Sequence, residues 1–122
     1  MKDEEVRVDL MVRTKTYALN IIRLCASLPS RPEAQVLGRQ LLRSGTAVGA
    51  HYREAKRAKS DADFVSKVEG LLQELEESGY WLELLQESEI VQGEGVAALL
   101  DETHQLTAIF VKIVTKVKSR SK

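Results

Sequence analysis

The stretch DFVSKVEGLLQELEESGYWLELLQE, residues 63–87, decides the fold class. Seven apolar or small residues recur along it at alternating spacings of four and three: Phe64, Val68, Leu71, Leu75, Ser78, Leu82 and Leu85. This spacing is typical of a coiled-coil-like seam, because it returns to one helix face every two turns. The same alternation recurs further along the chain, at Leu99, Thr103, Leu106, Phe110, Ile113 and Val117. The two stretches predict two long helices that each bury one face.

Turn signals on the N-terminal side of this stretch predict two more helices. Pro29 and Pro32 separate them, because proline disrupts a helix interior but fits its first turn. Ser60 followed by Asp63 is typical of a helix N-terminus, and the closely spaced Gly93 and Gly95 indicate the last turn. We expect helices at about residues 8–28, 32–58, 61–89 and 95–118.

Short connections make consecutive helices antiparallel, so the sequence predicts an all-α, up-down-up-down four-helix bundle. The chain has 122 residues, which fits a single domain over residues 1–122. It has only 7 Gly and 2 Pro, too few turn residues for a sandwich or barrel.

Several protein classes are disfavoured by composition. Cys25 is the single cysteine, so an intrachain disulfide framework is excluded. The charged start, Met-Lys-Asp-Glu-Glu, does not resemble a signal peptide, and no apolar run approaches the roughly 20 residues that span a bilayer. We therefore expect a cytoplasmic protein with no membrane partner.

The formal net charge is zero, but the charges are unevenly placed along the chain. Residues 70–111 contain no Lys or Arg, and the antiparallel order places several of their acids toward one end of the bundle. Cations gather at the opposite end, where a phosphate backbone or an acidic partner could bind: Arg53, Lys56, Arg57, Lys112, Lys116 and Arg120. The alternative is an ordinary solvated surface, in which the helix dipole favours cations at the helix C-termini.

Helix register predicts an ion pair and an outer face. With the turn between the second and third helices near residues 58–61, Arg43 lies level with Glu74 and Glu77, as a partly buried pair that fixes register. Tyr80 and Leu84 point away from the seam and Trp81 flanks it, which indicates an oligomer interface. The alternative is a normal scatter of surface apolar residues.

Catalytic signals are weak, so we expect a non-enzymatic protein with no metal and no cofactor. His51 is predicted to face the region of Val68, far from Glu77, so no di-metal constellation forms. Cys25 lies on the apolar side of the first helix, as a buried structural residue does. Gly45 and Gly49 share a face, which indicates close approach to another backbone, within the bundle or between subunits.

Long motifs in the chain resemble the bacterial four-helix bundle family related to the 23S rRNA intervening-sequence protein. They are Leu24-Cys25-x-x-Leu28-Pro29, QLLRSGTAVGA (residues 40–50), Glu54-Ala55, Ser60-x-Ala62-Asp63-Phe64, and Glu74-x-x-Glu77-Ser78-x-Tyr80-Trp81-Leu82-Glu83-Leu84-Leu85. The resemblance implies a left-handed bundle and a homopentamer. More distantly, it implies likeness to the accessory proteins of diversity-generating retroelements, which bind a reverse transcriptase and nucleic acid. The chain departs from many members in having His51 in place of Asn, and it carries Arg53 after Tyr52.

Two functional hypotheses follow. In the first, the chain is a non-enzymatic oligomer that binds RNA or a nucleoprotein partner through its cation-rich end. In the second, it is a protein–protein adaptor, for example an accessory protein of a diversity-generating reverse transcriptase, without direct nucleic-acid binding.

Overall fold

The protein is a bundle of four antiparallel helices. The structure, a computed structural model, describes the backbone of residues 2–120 and the side chains of residues 9–120. Its helices are α1 (Lys2–Ala26), α2 (Pro32–Lys56), α3 (Asp61–Glu87) and α4 (Glu94–Arg120). Each helix packs against the preceding one, and α4 returns to α1. The predicted all-α, up-down bundle is confirmed, and its left-handedness stays a prediction.

The first helix ends slightly earlier than the sequence predicted. Helix α1 ends at Ala26 rather than near residue 28, because the N–H groups of Ser27 and Leu28 donate to carbonyls three residues back. Helix α2 begins at Pro32, after Arg31 in extended conformation. Proline suits this position, because the first N–H groups of a helix have no partner within it.

The other two turns follow local capping rules. Ser60 accepts a hydrogen bond from the N–H of Asp63 at 3.0 Å, and the Asp63 carboxylate accepts one from the N–H of Lys59 at 3.2 Å. This is close to a capping box and confirms the predicted start of α3. Glu89 (φ 65°) and Gly93 (φ 106°) reverse the chain before α4. Helix α4 extends to Arg120, two residues beyond the predicted end at residue 118.

The predicted seams of α3 and α4 form the core. Of their thirteen positions, only Phe64 and Ile113 are half-buried, and the others are buried. From α1 and α2, the core takes Leu10, Tyr17, Ile21, Leu41, Val48 and Tyr52. Among the described residues, no helix is long and apolar enough to cross a membrane.

A polar layer, to which each helix contributes one residue, crosses the centre of this core. Ser44 Oγ of α2 lies 2.7 Å from Ser78 Oγ of α3, and the Tyr17 hydroxyl of α1 lies 2.7 Å from Thr103 Oγ1 of α4. All four side chains are buried. Burial raises the pKa of Tyr17, and hydrogen bonding to Thr103 and Ser78 only partly offsets it. The layer satisfies its own polar atoms, as a buried network must.

Gly45 and Gly49 of α2 allow α1 to approach α2 closely. A Cβ on Gly45 would lie 2.8 Å from Cγ1 of Ile21, inside van der Waals contact, and one on Gly49 would lie 3.5 Å from Oγ1 of Thr14. Of the two alternatives that the sequence left open, the structure therefore places these glycines against a helix of the same chain.

Candidate functional site: the basic pole

The C-terminal ends of α2 and α4 and the start of α3 meet at one end of the bundle, which we call the basic pole. A cavity of about 390 Å³ opens there. Apolar side chains form its floor: Leu10, Tyr52, Ala55, Ala58, Phe64, Ile113 and Val117. Its rim is polar and mostly cationic: Lys56, Lys59, Ser60, Asp61, Lys116 and Arg120.

The structure brings together half of the predicted nucleic-acid contacts. All six are exposed, and Lys56, Lys116 and Arg120 line the cavity. Arg53, Arg57 and Lys112 lie on the exposed faces of the same helices or the adjoining turn, outside the cavity lining. The predicted set is therefore a cluster of three cations with three flanking cations.

Acids of α3 neutralise part of this pole. Arg120 lies 3.4 Å from Asp61, Lys118 lies 3.0 Å from Glu69, and both pairs are exposed to solvent. Exposed pairs of this kind contribute little stability, because water screens them. Cations still outnumber acids among the described side chains of the pole. The antiparallel order also predicts that Asp3, Glu4 and Glu5 lie toward this end, but their side chains are outside the described residues.

The opposite end carries acids. Glu83, Glu87, Glu89 and Glu94 are exposed there, at the end of α3, in the turn that follows and at the start of α4. Sequence order alone produces this separation, because antiparallel helices return acidic and basic segments to opposite ends.

Arg43 joins α2 to α3 at the surface. Its guanidinium donates to Glu74 at 3.2 Å and to Glu77 at 2.5 Å. The pair is less buried than the sequence indicated: the Arg43 side chain is 52% exposed and that of Glu74 is 16% exposed. The reason is that Ser44 and Ser78 occupy the interior at this level, which leaves Arg43 at the outer edge of the helix pair.

His51 lies closer to Glu74 than the predicted register allowed. Its Nε2 is 3.6 Å from Oε2 of Glu74, and its ring packs over Gly70, whose missing side chain leaves room for it. The ring therefore lies within about two residues of the expected level at Val68, and the His51 and Glu74 side chains together span the remaining distance along the helices. Nδ1 of His51 is buried and has no hydrogen-bond partner among the described residues.

The predicted outer face contains one exposed aromatic ring. Tyr80 is 55% exposed, and its ring centroid lies 5.1 Å from that of Trp81. Trp81 and Leu84 are half-buried, and Trp81 packs against the core. Trp81 Nε1 is buried and has no acceptor among the described residues.

Sequence reasoning missed the contacts that close α1 against α4. Arg13 donates to both carboxylate oxygens of Glu102, at 3.1 and 2.6 Å, and these hydrogen bonds raise the pKa of Arg13. Beyond this pair the helices border a second, half-open cavity of about 600 Å³, lined on the α4 side by Gly95, Ala98, Leu99 and Glu102. The sequence signal for this second cavity is the pair of small residues Gly95 and Ala98, because neither side chain is large enough to fill the space between α1 and α4.

The described residues offer little for catalysis. They contain no group of three or more His, Cys, Asp or Glu side chains that could hold a metal ion. Burial raises the pKa of Cys25, whose thiol donates to the carbonyl of Gly38 at 3.4 Å. A protonated, partly buried thiol is a poor nucleophile.

Comparison with known proteins agrees with this architecture. The family model described as "23S rRNA-intervening sequence protein" matches residues 7–112. The chain belongs to this family. It is also similar to a crystal structure from Bacteroides thetaiotaomicron, described as a protein of unknown function from the S23 ribosomal protein family. The two are 33% identical with a TM-score of 0.80, and the match covers 85% of this chain and 96% of the other. Among curated proteins, none matches significantly.

The family resemblance stated from the motifs is thereby confirmed. Membership in the 23S rRNA-intervening sequence protein family supports the four-helix fold and assigns no catalytic activity. The solved relative is itself of unknown function. The function of this chain must therefore be argued from its own surface.

Proposed function

We propose that this protein is a non-enzymatic nucleic-acid-binding subunit whose basic pole contacts the phosphate backbone of RNA. The observation that carries the proposal is the cluster of Lys56, Lys116 and Arg120 around one cavity, flanked by exposed Arg53, Arg57 and Lys112. Lysine and arginine bind phosphates by charge and hydrogen bonding, and such contacts carry no sequence information. The proposal therefore concerns affinity for the RNA backbone.

The separation of cations and acids between the two ends of the bundle supports binding at the basic pole over a general attraction of the whole protein to anions. The chain has no net charge, so its overall field would not draw in RNA from a distance. The acids at the far end repel the backbone and the cations of the pole attract it. RNA binding by this mechanism is oriented, with one end of the bundle against the nucleic acid.

Salt-dependent binding tests this proposal. We would measure the fluorescence anisotropy of a labelled single-stranded RNA against the wild type and against the variant Arg53→Glu/Arg57→Glu, at several salt concentrations. Each lost phosphate contact lowers the slope of log K against log salt by roughly 0.7 for single strands. We expect weaker binding and a shallower slope for the variant.

The control reverses two charges elsewhere. Arg31, just before α2, and Arg39, in its first half, are exposed and lie away from the pole, so Arg31→Glu/Arg39→Glu changes the net charge equally. This control should bind RNA like the wild type. Equal loss in both variants, or no loss in either, would refute a site at the basic pole.

A second function, as a protein–protein adaptor that acts as a homo-oligomer, is supported by the outer face of α3. Tyr80 is exposed beside the half-buried Trp81 and Leu84, and the indole N–H of Trp81 has no acceptor within the described part of the chain. Tyrosine and tryptophan are enriched in interfaces. Under this proposal, the partner surface or a second copy covers Tyr80. The expected homopentamer is common to both proposals, and a reverse transcriptase as partner belongs to this one.

The two functions predict different salt dependence. A partner held by apolar contacts stays bound in high salt, whereas RNA held by phosphate contacts dissociates. Light scattering on a size-exclusion column, with nucleic-acid absorbance followed on the same peak at low and high salt, separates them. An oligomer that carries RNA only at low salt supports the first function, and an RNA-free oligomer at both salts supports the second.

A further inference from the structure

The cavity at the basic pole has an apolar interior that phosphate binding does not use. Phe64, Ile113 and Ala58 are half-buried and present apolar surface to it, and the more deeply buried Leu10 and Val117 lie behind them. The ring of Tyr52 packs edge-on against Phe110, with centroids 5.6 Å apart, and closes the inner end. Its volume of about 390 Å³ falls within the roughly 300–1,000 Å³ typical of small-molecule sites.

The rim of the cavity selects for negative charge. Lys56 and Lys59 border it on the side of α2 and the following turn, and Lys116 and Arg120 border it on α4. Asp61 is its single carboxylate, and that carboxylate lies 3.4 Å from the Arg120 guanidinium. A ligand with one anionic group at the rim and an apolar body inside would match both parts.

We propose that this cavity binds a small monoanionic amphiphile, namely a single-chain aliphatic carboxylic acid of medium length. The carboxylate lies among the rim cations, and the chain lies against Phe64, Ile113 and Ala58. This ligand is a further one beyond RNA, and it shares Lys56, Lys116 and Arg120 with the proposed RNA contact, so the two would compete for these cations.

The chemistry of the floor disfavours a nucleobase as the buried group. A base could stack on Phe64, but it would also bring several polar edge atoms against the aliphatic side chains of the floor, and each buried polar atom without a partner costs about 1–3 kcal/mol. A hydrocarbon chain has no such atoms and gains from removal from water. The cavity is also too small for the two chains of a phospholipid, which favours a free acid over a membrane surface.

Calorimetric titration with decanoate below its micelle concentration tests the proposal, and decylammonium serves as a probe with the same chain and the opposite charge. We expect one decanoate per chain and at least tenfold weaker binding of decylammonium. The variant Lys56→Glu/Lys59→Glu should weaken decanoate binding at least tenfold. Equal affinity for both probes, or unchanged affinity in this variant, would overturn the proposal.

A second pair of variants tests the cavity itself. Ala58→Trp places a ring inside it from the turn between α2 and α3, whereas Ala62→Trp places the same ring on the exposed first turn of α3, outside the lining. We expect the first variant to lose decanoate binding and the second to keep it. Decanoate binding retained in Ala58→Trp would contradict the site.

Measurements on the unaltered chain keep the proposal testable if Ala58→Trp does not fold. Decanoate should shift the NMR methyl signals of Leu10, Ile113 and Val117. Shifts confined to the second cavity, at Leu24 and Ala98, would place the ligand elsewhere and overturn the proposal, as would binding to phosphatidylglycerol vesicles in place of the free acid. None of these titrations contains RNA, so their outcome is separate from that of the proposed function.

Discussion

Ser44 Oγ and Ser78 Oγ lie 2.7 Å apart, and both side chains are fully buried between α2 and α3. Two hydroxyls at the same level of two facing helices specify register, because a slip by one turn would bury each against an aliphatic neighbour. Buried polar contacts contribute modest net stability but are costly when one partner is lost. The pair therefore favours one alignment of the two helices over its neighbours.

Replacement of the two serines tests this coupling. Ser44→Ala and Ser78→Ala should each lower the free energy of unfolding by about 1–3 kcal/mol, because each removes one member of a buried hydrogen bond. The double variant should lose less than the sum of the two, since it leaves neither hydroxyl behind. Urea unfolding of the four proteins measures the coupling, and strictly additive losses would show that the hydroxyls act independently.

We expect alanine to change the stability of the protein in opposite directions at the two glycines that face α1. Glycine inside a helix costs about 1 kcal/mol relative to alanine, so Gly49→Ala, whose new Cβ makes ordinary contact with Thr14, should stabilise the protein by up to that amount. Gly45→Ala should destabilise it, because the Cβ would lie 2.8 Å from the buried Ile21 side chain. Thermal unfolding of both variants checks the sign, and a stabilising Gly45→Ala would mean that α1 can move away without cost.

We expect the buried Tyr17 to make the folded protein less stable at high pH. Its pKa is raised in the folded state by burial, so the folded protein holds the phenolic proton more tightly than the unfolded chain does. Stability from this group is present below the ordinary tyrosine pKa of about 10 and is lost as the pH rises through the higher folded value. Between pH 9 and 11, the wild type should lose more unfolding free energy than Tyr17→Phe. Parallel pH curves would rule out this linkage.

A charge at position Tyr80 gives the most direct test of self-association through the outer face of α3. If the outer face of α3 meets a second copy, Tyr80→Glu places a charge in an apolar contact and should reduce the mass measured by light scattering. Gln92→Glu adds the same charge in the exposed turn before α4 and should leave the mass unchanged. An unchanged mass for Tyr80→Glu would assign assembly, if it occurs, to another face.

Much of the fold could be predicted because helix periodicity and capping are local. The seam from Phe64 to Leu85 and the Ser60 cap each depend on residues within a few turns of one another. The Arg43 pairing with Glu74 and Glu77 followed from a single short turn, since rigid helices rise about 1.5 Å per residue on either side of it.

Features that depend on helices distant in sequence could not be predicted. No turn joins α1 to α4, so register arithmetic could not predict the level at which Arg13 meets Glu102. The cavity at the basic pole is lined by residues of all four helices, so it is a property of packing. His51 contacts Glu74 through the reach of two long side chains, which linear register arithmetic omits.

The separation of acids and cations between the two ends of the bundle also bears on solubility. A chain with no net charge and a sequence pI near 6.7 has little overall repulsion to keep its copies apart in neutral solution. Opposite ends attract head to tail, and this attraction extends over a longer range as ionic strength falls. The protein should accordingly cloud on dialysis into water and clear again on addition of simple salt, the salting-in behaviour of a strongly polarised particle.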